Sequence, residues 1–174
     1  MKRLRLASVW LSGCSGCHMS LLNLHNYLLD LLGDYDLVYS PFIDIKEFPQ
    51  KVDIALIEGA VSTRENLEMA RVIRERTRIV ASLGDCAVNG NVTSLRNPQG
   101  KSATLDCVYA RHNIQPGGLG SDLSPLLDSV LPLHQVIRVD AFISGCPPEP
   151  EQIKSALKQL SAGIQENAEN FLTY

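Results

Sequence analysis

The chain has 174 residues, of which 45% are hydrophobic and 20% charged, with 16 basic and 19 acidic residues and a formal net charge of −3. This length and composition predict a single globular domain, residues 1–174, whose core needs no disulfide bonds. The negative net charge does not suggest a nucleic-acid-binding protein, which needs a clustered basic face. No segment approaches the ~20 consecutive apolar residues of a membrane span.

The chain begins with a basic segment that leads into the first predicted strand. Residues 4–10 are mostly apolar and are followed by Ser12 and Gly13, a pattern that predicts a buried strand. The same region has the outline of a bacterial lipoprotein signal that ends at Cys14. Its uncharged stretch is interrupted by serines and barely reaches the ~7–15 apolar residues that such signals need. We therefore expect no leader and a cytoplasmic location.

Helices and strands then alternate along the chain. A stripe of leucines over residues 19–32 is spaced as on one face of a helix and ends at Gly33. Short apolar runs predict strands at residues 37–39, 52–57, 79–83 and 139–143. Thr63 is placed to cap a helix that ends near Arg76. Pro150 begins the clearest helix, which runs to residue 164.

Residues 85–136 interrupt this alternation. The segment is rich in Gly, Pro, Asn and Ser, and it has turn signals at residues 97–100 and 116–118. Short helices are expected at residues 103–110 and 123–130. Because so long a connection in a compact domain is usually functional, we expect this segment to form part of an interface with a partner protein.

The order of these elements predicts the fold. Strands that alternate with helices form a parallel sheet that is covered by helices on both faces. Right-handed crossovers then give an α/β fold with a doubly wound, flavodoxin-like parallel sheet and a long irregular segment between the later strands. In such open sheets, ligands bind outside the carboxyl ends of the strands.

Four of the five cysteines lie just after the carboxyl ends of predicted strands. Cys14 and Cys17 follow the first strand, Cys86 follows the strand at residues 79–83, and Cys146 follows the last strand. We therefore expect the four thiols to converge at one edge of the sheet. Each lies beside Gly or Pro, and glycine lets backbone N–H groups approach a bulky anionic group closely. Four converging thiolates predict a [4Fe–4S] cluster.

Other interpretations of the cysteines remain open. A thioredoxin-like dithiol of Cys14 and Cys17 would leave Cys86 and Cys146 unexplained. A structural zinc site usually uses two Cys-x-x-Cys pairs, and the chain has one. Free cysteines also serve as small core side chains, which fits Cys107 in the apolar-leaning stretch 103–110. A flavin would compete for the same sheet edge, but no glycine-rich phosphate-binding motif is evident.

The residues around the cysteines resemble a known family. The sequence GCSGCHMS at residues 13–20 resembles the small subunit of the cytoplasmic, NAD-reducing (bidirectional) [NiFe] hydrogenases. The sequences IEGA at residues 57–60, GDC at 84–86 and GCPPEP at 145–150 match the rest of the family pattern in the same order. The resemblance covers the whole chain.

This resemblance implies roles for individual residues. Cys14, Cys17, Cys86 and Cys146 match the family's ligands of one [4Fe–4S] cluster. Glu58 matches a glutamate near that cluster, so we expect it to form a hydrogen bond there or to transfer protons. The alternative is a surface or capping carboxylate. His18 is expected either at a partner interface or as a loop histidine whose hydrogen bonds are satisfied within the chain.

The resemblance also implies a function and partners. Electrons would pass from a Ni–Fe site in a separate large subunit, through this cluster, to iron–sulfur and flavin-containing diaphorase subunits that reduce NAD+. Uptake hydrogenases add a twin-arginine leader and a C-terminal domain with two more clusters. This sequence has neither, so one cluster is expected. Single-cluster subunits of membrane-bound hydrogenases or of NADH:quinone oxidoreductases are alternatives, although the latter have adjacent cysteines in the first motif.

Overall fold

The computed structural model describes residues 3–109 and 123–171. Five strands form one parallel sheet: β1 Leu4–Trp10, β2 Tyr35–Tyr39, β3 Val52–Glu58, β5 Thr77–Leu83 and β7 Ala141–Ile143. Their order across the sheet is β2-β1-β3-β5-β7. Two short strands, β4 Val61–Thr63 and β6 Leu126–Leu131, pair antiparallel in a second sheet. The predicted doubly wound, flavodoxin-like α/β fold is confirmed.

Helices connect the strands and cover the sheet. They are α1 Gly16–Leu22, α2 Asn26–Asp34, α3 Arg64–Arg76, α4 Asp85–Asn89, α5 Gly100–Tyr109 and α6 Pro150–Phe171, with 3₁₀ helices at Asn91–Arg96 and Leu133–Gln135. The predicted cap of α3 is present, since the Thr63 hydroxyl accepts the N–H of Asn66 at 3.1 Å. No helix within the described ranges is long and apolar enough to cross a membrane.

The two faces of the parallel sheet form two hydrophobic cores. Successive side chains of a strand point to opposite faces. β3 therefore contributes Ile54 and Leu56 to one core and Ala55 and Ile57 to the other. Helices α1, α2 and α6 cover the first core, and α3 covers the second. Because β3 is buried on both faces, its carboxyl end is held rigidly next to the loops described below.

Two predicted elements are wrong. The helix expected at residues 19–32 is split into α1 and α2, because the backbone of His25 has a φ of +48° and cannot continue a helix. The helix expected at residues 123–130 is instead the strand β6, whose pairing with β4 is non-local and leaves no sign in local sequence. The turn expected at residues 116–118 lies outside the described residues. The other described elements of segment 85–136 are the helices α4 and α5 and the two 3₁₀ helices.

Candidate metal centre

Loops at the carboxyl edge of the parallel sheet carry the four predicted cysteine ligands. Cys14 and Cys17 follow β1, and Cys17 is already part of α1. Cys86 lies in α4, directly after β5, and Cys146 follows β7. Because β1 and β5 flank β3, and β7 pairs with β5, these loops are neighbours in space.

Hydrogen bonds join the loops to one another. The N–H of Gly145 donates to Oδ1 of Asp85 at 2.7 Å, and the N–H of Asp85 donates to the carbonyl oxygen of Gly145 at 2.9 Å. The hydroxyl of Ser20 on α1 donates to the carbonyl oxygen of Pro148. The chain's own hydrogen bonds therefore hold the site together.

Two glycines leave room for cysteine sulfurs. The backbone φ at Gly84 is +81°, and a Cβ added there would lie 2.1 Å from Sγ of Cys17. A Cβ added at Gly16 would lie 3.3 Å from Sγ of Cys14. Any side chain at Gly84 would overlap the sulfur, so only glycine lets the chain pass this close. The backbone is thus shaped around the thiols.

The four thiols influence one another electrostatically. Burial, followed by the charges of Glu58 and of the other three predicted ligands, raises the pKa of the Cys17 thiol to about 12. These charges act on Cys17 because the loops that carry the four cysteines are neighbours at the sheet edge. Their thiolates repel each other, so the ionised set needs a positive partner, and metal coordination deprotonates thiols outright. The donor set therefore fits a thiolate-bound metal group.

The backbone after α4 influences the pKa of one of the thiols. Burial and the charges of Cys146 and Cys14 raise the pKa of Cys86, whereas a hydrogen bond from the N–H of Thr93 opposes that rise. Thr93 lies in the 3₁₀ helix that follows α4. Hydrogen bonds to ligand sulfurs adjust the potential of a cluster. Sequence reasoning missed Thr93 because it lies in the turn-rich segment, where nothing marks a residue as part of a site.

Glu58 is buried at the end of β3, beside the first two cysteines. Its side chain is 2% exposed. Oε1 accepts the N–H of Cys17 at 3.3 Å, Oε2 accepts the N–H of His18 at 2.9 Å, and Oε2 also contacts Nδ1 of His18. Burial alone would raise the pKa of Glu58, but these hydrogen bonds and the nearby His18 hold it below its usual value. The alternative of a surface carboxylate is therefore wrong, whereas a capping role agrees with these contacts.

His18 is a helical residue rather than a loop residue. It lies in α1, is 2% exposed, and contacts the ring of Phe42 edge-on with a centroid distance of 5.6 Å. Nδ1 faces Glu58, but Nε2 is buried and has no hydrogen-bond partner among the residues that the structure describes. The expectation of a loop histidine satisfied within the chain is thus only half correct.

The fifth cysteine does not belong to the site. Cys107 is exposed on α5, a helix with no buried residue, so the predicted core role of Cys107 is wrong. The thiol of Cys107 is also not among the groups that change the pKa of Cys17 or of Cys86. Within residues 3–109 and 123–171, no three His, Cys, Asp or Glu side chains are grouped tightly enough to bind a single metal ion. In a cluster, by contrast, each thiolate has its own iron.

Known proteins resemble this chain over most of its length. Residues 14–160 match the family described as NADH ubiquinone oxidoreductase, 20 Kd subunit. One subunit of the F420-non-reducing hydrogenase vhu of Methanocaldococcus jannaschii is 37% identical over 162 residues, covering 91% of this chain and 56% of the relative. The NAD-reducing hydrogenase HoxS subunit delta of Cupriavidus necator is 34% identical over 167 residues, covering 92% of this chain and 80% of the relative.

A solved structure agrees with these relatives. A chain in the crystal structure of an NAD+-reducing [NiFe]-hydrogenase in the H2-reduced state superposes with a TM-score of 0.87 at 37% identity, covering 93% of both chains. The chain spans about half the length of several of its curated relatives, among them the M. jannaschii protein. These matches confirm the resemblance that the cysteine motifs predicted. The chain therefore belongs to the family of the NADH ubiquinone oxidoreductase 20 Kd subunit, and it is similar to these hydrogenase subunits.

Proposed function

We propose that this chain is the electron-transfer small subunit of a cytoplasmic [NiFe] hydrogenase, with one [4Fe–4S] cluster bound by Cys14, Cys17, Cys86 and Cys146. The observation that carries the proposal is that the loops with these four cysteines are neighbours at one edge of the sheet and are joined by hydrogen bonds. When bound, such a cluster takes up and passes on single electrons. The space at Gly84 and the N–H of Thr93 support this assignment.

The chain's own residues would hold the cluster and adjust it. The thiolates of the four cysteines would bind the cluster from three loops, so their arrangement depends on how these loops are joined. Asp85 ties the Cys86 loop to the Cys146 loop, and Ser20 ties α1 to the same loop. The N–H of Thr93 lowers the pKa of Cys86 and so favours its thiolate.

The partners follow from the relatives. A separate large subunit would hold the Ni–Fe site, and iron–sulfur and flavin-containing diaphorase subunits would carry electrons to NAD+. The similarity to the C. necator protein and to the NAD+-reducing structure supports NAD+ as the acceptor. Relatives of similar identity are named as parts of F420-non-reducing hydrogenases, so an acceptor other than NAD+ is the second candidate.

The exposed apolar residues near Cys86 offer a surface for such a partner. Val92 and Leu95, in the 3₁₀ helix after α4, are 62% and 72% exposed, and Val108 on α5 is 51% exposed. Apolar side chains that are exposed in the isolated chain are typical of residues that an obligate interface buries. We propose that the described part of segment 85–136 contacts the large subunit there.

One experiment tests the function as a whole. The tagged chain is purified without oxygen, together with the subunits that accompany it, and is then exposed to H2. We expect nickel in a co-purifying subunit, a reduced-cluster electron paramagnetic resonance signal that appears with H2, and H2-dependent reduction of NAD+. A Cys86→Ser variant should lack the signal. Reduction of the cluster by H2 without NAD+ reduction would favour the second acceptor, and a cluster that H2 does not reduce would contradict the hydrogenase role.

A further inference from the structure

We propose that Glu58 is a positioning residue that holds Cys17 in place and makes the reduction potential of the cluster more negative, and that His18 orients its carboxylate. This inference rests on the proposed cluster site. It concerns neither the ligands themselves nor the transfer of protons.

Glu58 replaces a missing cap on the helix that carries Cys17. Ser15 lies at the N-cap position of α1, but its side chain makes no cap hydrogen bond and its backbone φ is +67°. The first N–H groups of a helix have no partner within the helix. The carboxylate of Glu58 accepts two of them, from Cys17 and His18, across a separation of about 40 residues. The position of Cys17 is thereby tied to the rigid central strand β3.

His18 fixes the direction of this carboxylate. Its Nδ1 lies within hydrogen-bond distance of Oε2, the same oxygen that accepts its own N–H. Phe42 packs edge-on against the imidazole and limits its rotation. Because Nε2 has no partner in the described part of the chain, the hydrogen bond to Glu58 is the one polar contact that its imidazole makes there.

The charge of Glu58 acts on the same thiols that would bind the cluster. Its Oε1 lies 3.3 Å from the backbone nitrogen of Cys17, so the carboxylate is next to a proposed ligand. A negative charge at this distance disfavours the addition of an electron to a group that the thiolates hold. Because Glu58 as a whole residue is 1% exposed, water screens the effect of its charge on the cluster only weakly.

The test compares potentials of matched variants in the full chain purified with its partners. Glu58→Gln keeps the shape of the side chain and removes its charge. Asp53→Asn is the control, since Asp53 lies at the opposite end of the same strand and accepts a backbone N–H from Arg5 at 2.8 Å. Redox titration of the reduced-cluster signal should give a more positive midpoint in Glu58→Gln and an unchanged midpoint in Asp53→Asn.

The outcomes separate this inference from the proposed function. If the wild-type chain lacks iron, the cluster itself is excluded. If the wild-type cluster is present and Glu58→Gln leaves its midpoint unchanged, only the role of Glu58 is overturned. If Glu58→Gln fails to fold, two variants of His18 test the same proposal. His18→Asn retains a donor at the Nδ1 position and should keep the wild-type midpoint potential. His18→Leu has no donor there and should shift the midpoint potential. Equal midpoints in both His18 variants would also overturn the proposal.

Discussion

At the scale of single residues, Gly84 is the position where the site is most sensitive to a small change. A Cβ at this position would lie 2.1 Å from Sγ of Cys17, and the φ of +81° adds backbone strain for any other residue. We predict that Gly84→Ala displaces Cys17 and that most of the bound iron is lost. Iron per chain, measured after purification without oxygen, checks this.

Gly100 provides a matched control for that substitution. Its φ is +76°, but a Cβ added there meets nothing within 4 Å. Gly100→Ala should therefore cost about 1–2 kcal/mol of stability from backbone strain and leave the iron content unchanged. Full iron retention in Gly84→Ala would show that the backbone is not shaped around the sulfur.

At the residue scale, the sequence could predict where a residue lies relative to a strand, whereas the role of that residue stays a prediction. Cys17, Cys86 and Glu58 all lie within a few residues of a strand end, and parallel strands bring such residues together. Thr93 was missed because a backbone N–H has no side-chain signature. The role of Cys107 was wrong because local apolar composition does not show which face of a helix is buried.

At the scale of elements, Asp140 joins three of them. Its Oδ2 accepts the N–H of Val80 on β5 at 2.9 Å and a guanidinium N–H of Arg74 on α3 at 2.6 Å, just before β7 begins. Burial alone would raise the pKa of Asp140, but these hydrogen bonds and the nearby arginines hold it below its usual value. We predict that Asp140→Asn lowers the free energy of unfolding by about 1–2 kcal/mol at neutral pH.

The same contacts of Asp140 predict that the free energy of unfolding depends on pH. A carboxyl whose pKa is lower in the folded state stabilises the protein above its unfolded pKa, near 4, and loses this contribution as the pH falls through its folded pKa. The difference between the wild type and Asp140→Asn should therefore shrink below about pH 4, as measured by chemical denaturation. Asp36→Asn, an exposed control on β2, should change little. A constant difference down to low pH would contradict the role of the carboxylate.

Helices and strands whose ends are marked by neighbouring residues could be predicted from the sequence. Those that depend on residues far away along the chain could not. The cap at Thr63 and the start of α6 at Pro150 follow from neighbouring residues. β6 is held partly by Asn97, whose side chain accepts the Val130 N–H at 2.8 Å and donates to its carbonyl oxygen at 2.9 Å. The sequence near residue 130 does not indicate that Asn97 binds there.

At the scale of the whole molecule, the exposed apolar residues predict where a partner binds. Leu95 is 72% exposed near Cys86, and Leu29 on α2 is 69% exposed. We predict that Leu95→Asp weakens association with the large subunit by about tenfold or more, because a charge would be buried in the interface. Leu29→Asp is the control, since Leu29 has a similar exposure. Binding of the large subunit to each variant is measured by pull-down or titration. Equal effects of the two variants would show that the surface around Leu95 does not contact the large subunit.

The overall fold could be predicted because its order follows from simple rules. Alternating strands and helices with right-handed crossovers leave few arrangements of a parallel sheet. The two-stranded sheet of β4 and β6 and the breaks among the short helices lie outside those rules. They depend on side-chain contacts such as those of Asn97 and on backbone conformations such as that of His25.

The proposed function depends on whether four of the five cysteines bind one cluster. The most direct measurement is iron, zinc and acid-labile sulfide per chain in oxygen-free preparations of the wild type and of five single Cys→Ser variants, at positions 14, 17, 86, 107 and 146. We predict about four irons and four sulfides in the wild type and in Cys107→Ser, and a loss of both in the other four variants. Zinc without sulfide, or a metal-free chain with a titratable Cys14–Cys17 dithiol, would contradict a shared cluster site.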